Sequence, residues 1–174
     1  MNQQIPAWVD GHLAPMDKLE VHRRGLRHPA ISVFVLDGER TLIQRRALTK
    51  YHTPGLWANA VCTHPHWGEP MPDAAARRLH EELGIANLPL TPRDSVEYRA
   101  EVGGGLIEHE VVSLFTAESG PNLALTPNPG EVMDVRWIDL DALRAEIEAA
   151  PAAFTPWLRI YLADHDGQIF GAAA

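Results

Sequence analysis

Two glutamates, Glu108 and Glu110, stand two residues apart in the run LIEHEVVSLFT at 106–116. In an extended chain that spacing projects both carboxylates from one face, roughly 7 Å apart by strand rise. The face continues as Val112 and Leu114, so the carboxylates are expected to be at least partly buried, where they need partners or a metal. An edge strand with a solvated face explains the pair equally well. Cys62 and His64 repeat the two-residue spacing in NAVCTH (59–64), and His22 and His28 lie upstream. Three imidazoles with two carboxylates suit a divalent transition metal. Against this, the chain has nine histidines, and any one of them is more often a surface or core residue than a ligand. Cys62 is the single cysteine. A buried thiol is usually inert, and it becomes reactive where a metal or cation favours the thiolate.

A second group lies at 72–83. At about 100° per residue, Arg78, Glu81 and Glu82 share an arc of roughly a quarter turn on a helix. Adjacent carboxylates at a helix end can hold a hard divalent cation, and Glu69 just before the helix could add a third. Taken alone, a solvated face with pairs such as Arg78 to Glu82 is the commoner use of this pattern. Lys18, Arg46, Lys50 and Arg78 are candidate phosphate contacts, weak as a set because such residues are normally on the surface.

These side chains need elements to position them. Residues 29–36 (PAISVFVL) are rich in β-branched residues and read as a strand. Asp37-Gly38 then signals a hairpin, with 40–46 as the returning strand. Residues 47–58 read mostly as loop and 59–64 as a short extended segment. The helix at 72–83 has Pro72 at its first position, an apolar stripe of Ala75, Leu79 and Leu83, and Gly84 as its stop. Strands are expected at 106–116, after Gly103-Gly104-Gly105, and at 132–138. Asp139 or Asp141 can cap a helix through Ala150, and Thr155-Pro156 reads as a cap and first-position proline for a last helix. The tail from about 164 is expected to be loose. Irregular alternation around one hairpin implies an α+β fold with helices on the faces of a mixed sheet.

Composition bounds the function. The 174 residues suit a single domain spanning 1–174. A net charge of -8 argues against a nucleic-acid binder, yet a few focused cations can still hold a small anion. No apolar run reaches the ~20 residues of a membrane helix. The start MNQQIPAWVDG has no basic segment followed by an apolar one, so no secretory leader is expected, and the lone cysteine fits a cytoplasmic protein.

The segment THPHWGEPMPDAAARRLHEELGI (63–85) resembles the Nudix signature G-x5-E-x7-R-E-U-x-E-E-x-G-U. Glu69, Arg77, Leu79, Glu81, Glu82, Gly84 and Ile85 fall in register. Thr63 stands for the first glycine, and Arg78 for the glutamate after the arginine. That glutamate helps bind catalytic metals in Nudix hydrolases, so its replacement speaks against diphosphate hydrolysis. RRALTK (45–50), PGLWANAVCTHP (54–65), EHEV (108–111) and FTPW (154–157) are similar to the type I isopentenyl-diphosphate isomerase branch of that family.

The resemblance implies a Nudix fold, a mixed β-sheet sandwiched between α-helices. It also implies interconversion of isopentenyl and dimethylallyl diphosphate. By the same likeness, His22, His28, His64, Glu108 and Glu110 bind a divalent metal, Mn2+ or Zn2+. Glu82 and the Cys62 backbone carbonyl hold Mg2+. Cys62 and Glu110 are catalytic, with Tyr98 assisting protonation. Lys18, Arg46, Lys50 and Arg78 bind the diphosphate, and Trp157 faces the hydrocarbon. The expected partner is a prenyl diphosphate, with no nucleic acid and no membrane, for a monomer or homodimer. A Nudix hydrolase of a nucleoside diphosphate derivative would explain Glu69, Glu81 and Glu82 equally well. It leaves Cys62, His64, Glu108, Glu110 and the upstream histidines idle. A non-catalytic Nudix-like binding module would tolerate loss of the metal ligands, yet all of them are present.

Overall fold

The computed structural model describes residues 3–120 and 122–171. Strands β1 (Gln4–Val9) and β2 (His12–Asp17) form a separate antiparallel hairpin. Its turn is Asp10-Gly11, with positive φ at both residues, as a tight hairpin requires. Helix α1 (Lys18–Arg24) follows directly. The Asp17 carboxylate caps it by accepting from the Glu20 amide, and left-handed Gly25 ends it. The chain then enters β3 (His28–Asp37), β4 (Arg40–Arg46), β5 (Trp57–Asn59), β6 (Val61–Thr63) and helix α2 (Met71–Leu83). The long hairpin β7 (Thr91–Gly103) and β8 (Leu106–Glu118) comes next. Strand β9 (Val132–Asp139) and helices α3 (Leu140–Ala149), α4 (Pro156–Asp164) and α5 (Asp166–Phe170) complete the described chain.

Seven strands make one mixed sheet, in the order β5-β4-β3-β8-β7, with β6 also on β3 and β9 also on β4. The β3–β8 pairing is parallel and the others are antiparallel. The Asp37-Gly38 hairpin is present, but β3 and β4 pair through only two positions, Leu36 with Thr41 and Asp37 with Arg40. Beyond them the strands part. Residues 57–63 enter the fork, with β5 on β4 and β6 on β3, so the single extended segment expected at 59–64 is two short strands. Asn59 stitches the fork, its Nδ2 reaching Ser32 Oγ, the Val33 carbonyl and the Val61 carbonyl.

The near-continuous apolar run of β3 follows from burial on both faces. Ala30, Phe34 and Leu36 pack on one side with Leu114, Trp157, Leu158, Tyr161 and Ile169. Ile31, Val33 and Val35 pack on the other against Ala75, Leu79 and Leu83 of α2. The sheet is therefore sandwiched, with α2 on one face and α4 and α5 on the other.

Several expectations need correction. The chain does not become loose at 164: α5 is helical and Ile169 is fully buried, while residues 172–174 lie outside the described residues. Helix α2 begins at Met71, one residue before Pro72. Asp139 and Thr155 occupy N-cap positions, but neither side chain makes a capping hydrogen bond. Among the described residues, no helix is long and apolar enough to cross a membrane.

Gly84 ends α2 at φ 70°, and a Cβ there would meet Thr126 Cβ at 2.8 Å and the Thr126 carbonyl oxygen at 3.0 Å. Gly84→Ala is expected to destabilise the fold by about 2 kcal/mol or more, combining left-handed strain with the clash. A lowered thermal unfolding midpoint, with a native far-UV spectrum before melting, would bear this out.

Candidate functional site

The pleat of β8 directs Glu108 and Glu110 to the face that carries Val112 and Leu114, and both carboxylates are buried. Tyr98 lies opposite Glu110 across the β7–β8 ladder. Its hydroxyl is 2.8 Å from Glu108 Oε2 and 2.8 Å from Glu110 Oε2. A phenol has one proton, so one carboxyl must bring a second or a cation must offset the charge. Burial, and then the charge of Glu110, push the Glu108 carboxyl well above the usual range. Burial pushes Glu110 the same way, but bonds to His28 and His64 outweigh it and hold Glu110 well below that range.

Three imidazoles converge on this pair. His22 comes from α1, His28 from the head of β3, level with Glu110 in the parallel ladder, and His64 from the residue just after β6. His22 Nδ1 is 2.7 Å from the Lys18 carbonyl, and His28 Nδ1 is 2.7 Å from the Leu26 carbonyl. A carbonyl can only accept, so each Nδ1 carries the proton and each Nε2 offers a lone pair, as a metal ligand must. His28 Nε2 lies 3.1 Å from His64 Nε2, and His64 Nε2 lies 2.9 Å from Glu110 Oε1. His64 Nε2 can give at most one proton to these two acceptors. An ion about 2.1 Å from each donor would satisfy all of them, since neighbouring donors around it stand about 3 Å apart. His22, His28, His64 and Glu110 thus form a buried group fit to hold a divalent ion. Burial lowers His22 to about 4 and depresses His64 well below the ordinary imidazole value, keeping both neutral for ligation.

Glu108 stands apart from that group. It joins His22 and His52 in a second, overlapping one. His52 is absent from the sequence-derived site because it sits in a stretch read as loop, with no spacing to single it out.

Cys62, on β6, shares the pocket wall with His64, Tyr98, Glu108, Glu110, Arg46 and Trp157. Its Sγ is 3.0 Å from Ser32 Oγ and 3.1 Å from Asn59 Oδ1. Burial pushes the thiol well above its ordinary value, with Ser32 pulling the other way. Because Asn59 Nδ2 donates to Ser32 Oγ, the Ser32 hydroxyl proton is free to point at sulfur.

The cations are graded along the pocket. Lys18, Lys50 and Arg78 line both its depth and an adjoining mouth that includes Arg23 and Glu131, whereas Arg46 and Trp157 lie deep. Arg46 Nε, Arg78 Nε and Trp157 Nε1 are buried donors with no partner among the described residues, an arrangement that suits an anionic guest. Lys50 and Arg78 meanwhile pair with Glu131, which no sequence pattern singled out.

Two carboxylates do not join the imidazole cluster. Glu69 makes a double ion pair with Arg77 and accepts from the His66 amide, so it braces the loop before α2 instead of adding a metal ligand. Glu82 is buried beside Arg78 and accepts from Gln44 Nε2 at 2.7 Å.

The pattern of the NUDIX domain matches residues 26–158. The chain is 61% identical over 174 residues, 100% of this chain and 99% of the relative, to "Isopentenyl-diphosphate Delta-isomerase" of Dinoroseobacter shibae. It is 63% identical over 171 residues, 98% of this chain and 97% of the relative, to the protein of the same name from Cereibacter sphaeroides strain ATCC 17025. The fold is similar to that of DR0079 from Deinococcus radiodurans, with TM-score 0.74 at 17% identity over 92% of this chain and 97% of that one.

Lys18 is lowered from 10.5 to about 8, first by burial and then by Lys50, Arg78 and Arg46. Its charge is present below that value and lost above it. Affinity for inorganic pyrophosphate is therefore expected to hold below about pH 8 and to fall roughly tenfold above it, the worth of one charge-assisted hydrogen bond. Calorimetric titration across that range would measure the fall, and Lys18→Met should abolish the Lys18 part of it.

Proposed function

This chain belongs to the isopentenyl-diphosphate Delta-isomerase branch of the NUDIX family, and from that premise we propose that it interconverts isopentenyl and dimethylallyl diphosphate in isoprenoid biosynthesis. The observation that carries the reading is one pocket in which an acid pair and a thiol stand on strands flanking β3 on its two sides. Glu110 and Tyr98 come from the β8 side, and Cys62 from the β6 side.

The reaction needs that separation. A proton adds to the terminal alkene carbon and leaves a tertiary cation, and a proton is then lost from the carbon beside the CH2O group. Glu110 with Tyr98 delivers the first proton, and Cys62 removes the second. The Ser32 hydroxyl supports the sulfur as its proton leaves. Trp157 offers the cation an aromatic face that cannot capture it as a nucleophile would. Lys18, Arg46, Lys50 and Arg78 hold the diphosphate, with the unpartnered Arg46 and Arg78 Nε donors available to its oxygens.

His22, His28, His64, Glu108 and Glu110 are the proposed ligands of a first ion, Mn2+ or Zn2+. Glu82 and the Cys62 carbonyl are the proposed protein contacts of Mg2+ beside the diphosphate. When bound, these ions supply positive charge that tunes the acidity of Glu110, favours the Cys62 thiolate and neutralises the diphosphate. Glu82 is paired with Arg78, so its side chain becomes available as Arg78 turns to the diphosphate. Arg78 also removes a carboxylate that diphosphate hydrolysis would use. The same reading has the protein act on a small molecule in the cytoplasm as a monomer or homodimer, and its net charge of -8 accords with no nucleic-acid partner.

The test is to incubate the metal-replete protein with isopentenyl diphosphate and Mg2+ in deuterated water and follow the proton NMR spectrum. Dimethylallyl diphosphate carrying deuterium in a methyl group is the expected product. No conversion would defeat the isomerase reading and turn attention to nucleoside diphosphate derivatives. Cys62→Ala and Glu110→Gln are each expected to lower the rate by at least about 10²–10⁴-fold while the far-UV spectrum stays native. Substantial turnover by folded Cys62→Ala would sink the two-sided mechanism.

A further inference from the structure

Gln44 is a buried polar side chain on an apolar face. It lies on β4, paired with Ala58 of β5 and Val135 of β9. Two residues back along the strand, Leu42 packs with Val61, Leu79 and Leu83, so period-two alternation turns Gln44 toward α2. Its Nε2 is 2.7 Å from the Ala60 carbonyl and 2.7 Å from Glu82 Oε2. A carbonyl can only accept, which puts the amide nitrogen, and not its oxygen, at this point. The two amide protons then serve two acceptors, one each.

The Ala60 bond has a structural use, since Ala60 stands between β5 and β6 and belongs to neither. The Glu82 bond has a different consequence. Arg78 holds Glu82 Oε1 while Gln44 holds Oε2, so each carboxylate oxygen has its own donor. The two donors differ in kind. Arg78 lines the pocket and offsets the charge of the carboxylate, and in the function proposed above it turns to the diphosphate. Gln44 is neutral and fixed by the Ala60 bond, so it stays when Arg78 leaves. It then keeps one oxygen of Glu82 occupied and leaves the other, with the full negative charge, for a cation. Hydrogen bonds of this kind behind a carboxylate ligand set its orientation and its affinity for the ion.

We propose that Gln44 is a positioning residue for the ion that accompanies the diphosphate, holding Glu82 Oε2 against the Ala60 carbonyl so that Oε1 faces the ion. The inference rests on the role of Glu82 in the proposed function. The same amide ties the carboxylate on α2 to the backbone two residues before Cys62, whose carbonyl is the other protein contact in that reading. One side chain thus sets the separation of the two contacts. Its loss weakens the hold on the ion and leaves the cations that bind the anion in place.

The experiment measures the affinity of the full-length protein, carrying its first ion, for inorganic pyrophosphate by calorimetry, without Mg2+ and at graded Mg2+ concentrations. Wild type, Gln44→Met and Glu82→Gln are compared, methionine keeping the length of the side chain without its donor. Gln44→Met should need about 10–100-fold more Mg2+ for half of the Mg2+ effect, the scale for lost support at a metal site, while binding without Mg2+ stays at the wild-type level. Equal weakening with and without Mg2+ would make Gln44 structural only and overturn the proposal. Wild-type Mg2+ dependence in folded Gln44→Met, with that dependence lost in Glu82→Gln, would overturn the role of Gln44 alone. Undiminished Mg2+ dependence in Glu82→Gln would overturn the role of Glu82 itself, and this inference with it. In 15N-labelled wild type, the Gln44 side-chain amide signals should move when Mg2+ is added to the pyrophosphate-bound protein. Signals that stay in place would overturn the proposal without any variant, so it remains falsifiable if Gln44→Met misfolds.

Discussion

Two carboxylates two residues apart on one strand face, both buried, set the terms for this structure. An uncompensated charge in an apolar interior costs several kcal/mol, and two like charges cost more. The fold answers from every element in reach. Tyr98 crosses from β7, His28 from β3, His64 from just past β6 and His22 from α1, while Lys18 adds charge from the start of the same helix. Burial holds His22 and His64 neutral, and the carbonyls on Nδ1 turn the lone pairs of His22 and His28 inward, so proteinaceous protons alone do not satisfy the cluster. A divalent cation among His22, His28, His64 and Glu110 would meet the demand of that carboxylate, and Tyr98 ties Glu110 to Glu108.

The other constraint is the fork between β3 and β4. A full hairpin ladder would occupy the edge of β3 that β6 uses, and Cys62 would have no place beside the pocket. Two ladder positions, followed by divergence, free that edge. Asn59 meets the backbone acceptors exposed at the fork and holds Ser32 beside the sulfur. One polar side chain thus couples the irregularity of the sheet to the environment of the thiol. At the mouth, Glu131 and Glu82 pair with Lys50 and Arg78. In the function proposed above, a diphosphate would compete with these singly charged carboxylates for the same cations.

Much of this was legible in the sequence for definite physical reasons. That Glu108 and Glu110 share a face with Val112 and Leu114 follows from strand geometry, whereas their burial, left open against a solvated edge strand, was decided by the packing. The stripe of α2 and its Gly84 stop follow from helical periodicity. Other elements were readable and were passed over. Asp10-Gly11 carries the same turn dipeptide as Asp37-Gly38, and Val96, Tyr98 and Val102 alternate with charged residues along β7. The loose tail was misjudged because α5 is anchored by tertiary contacts, with Ile169 buried, Phe170 against Phe34 and Asp166 paired with Arg144, while its sequence has little periodicity.

The sequence by itself determined the types and local spacing of the reacting groups, because period-two and period-3.6 geometry act over a few residues and need no knowledge of partners. It also determined the family, through side chains at fixed separations in a fixed order. Tertiary structure alone decided which groups meet. That His52 joins Glu108 and that Cys62 sits beside Ser32 depend on the path of β3 between β6 and β8 and on the fork at β4. Those contacts span tens of residues, and their energies come from burial and pairing between elements, which local sequence does not encode.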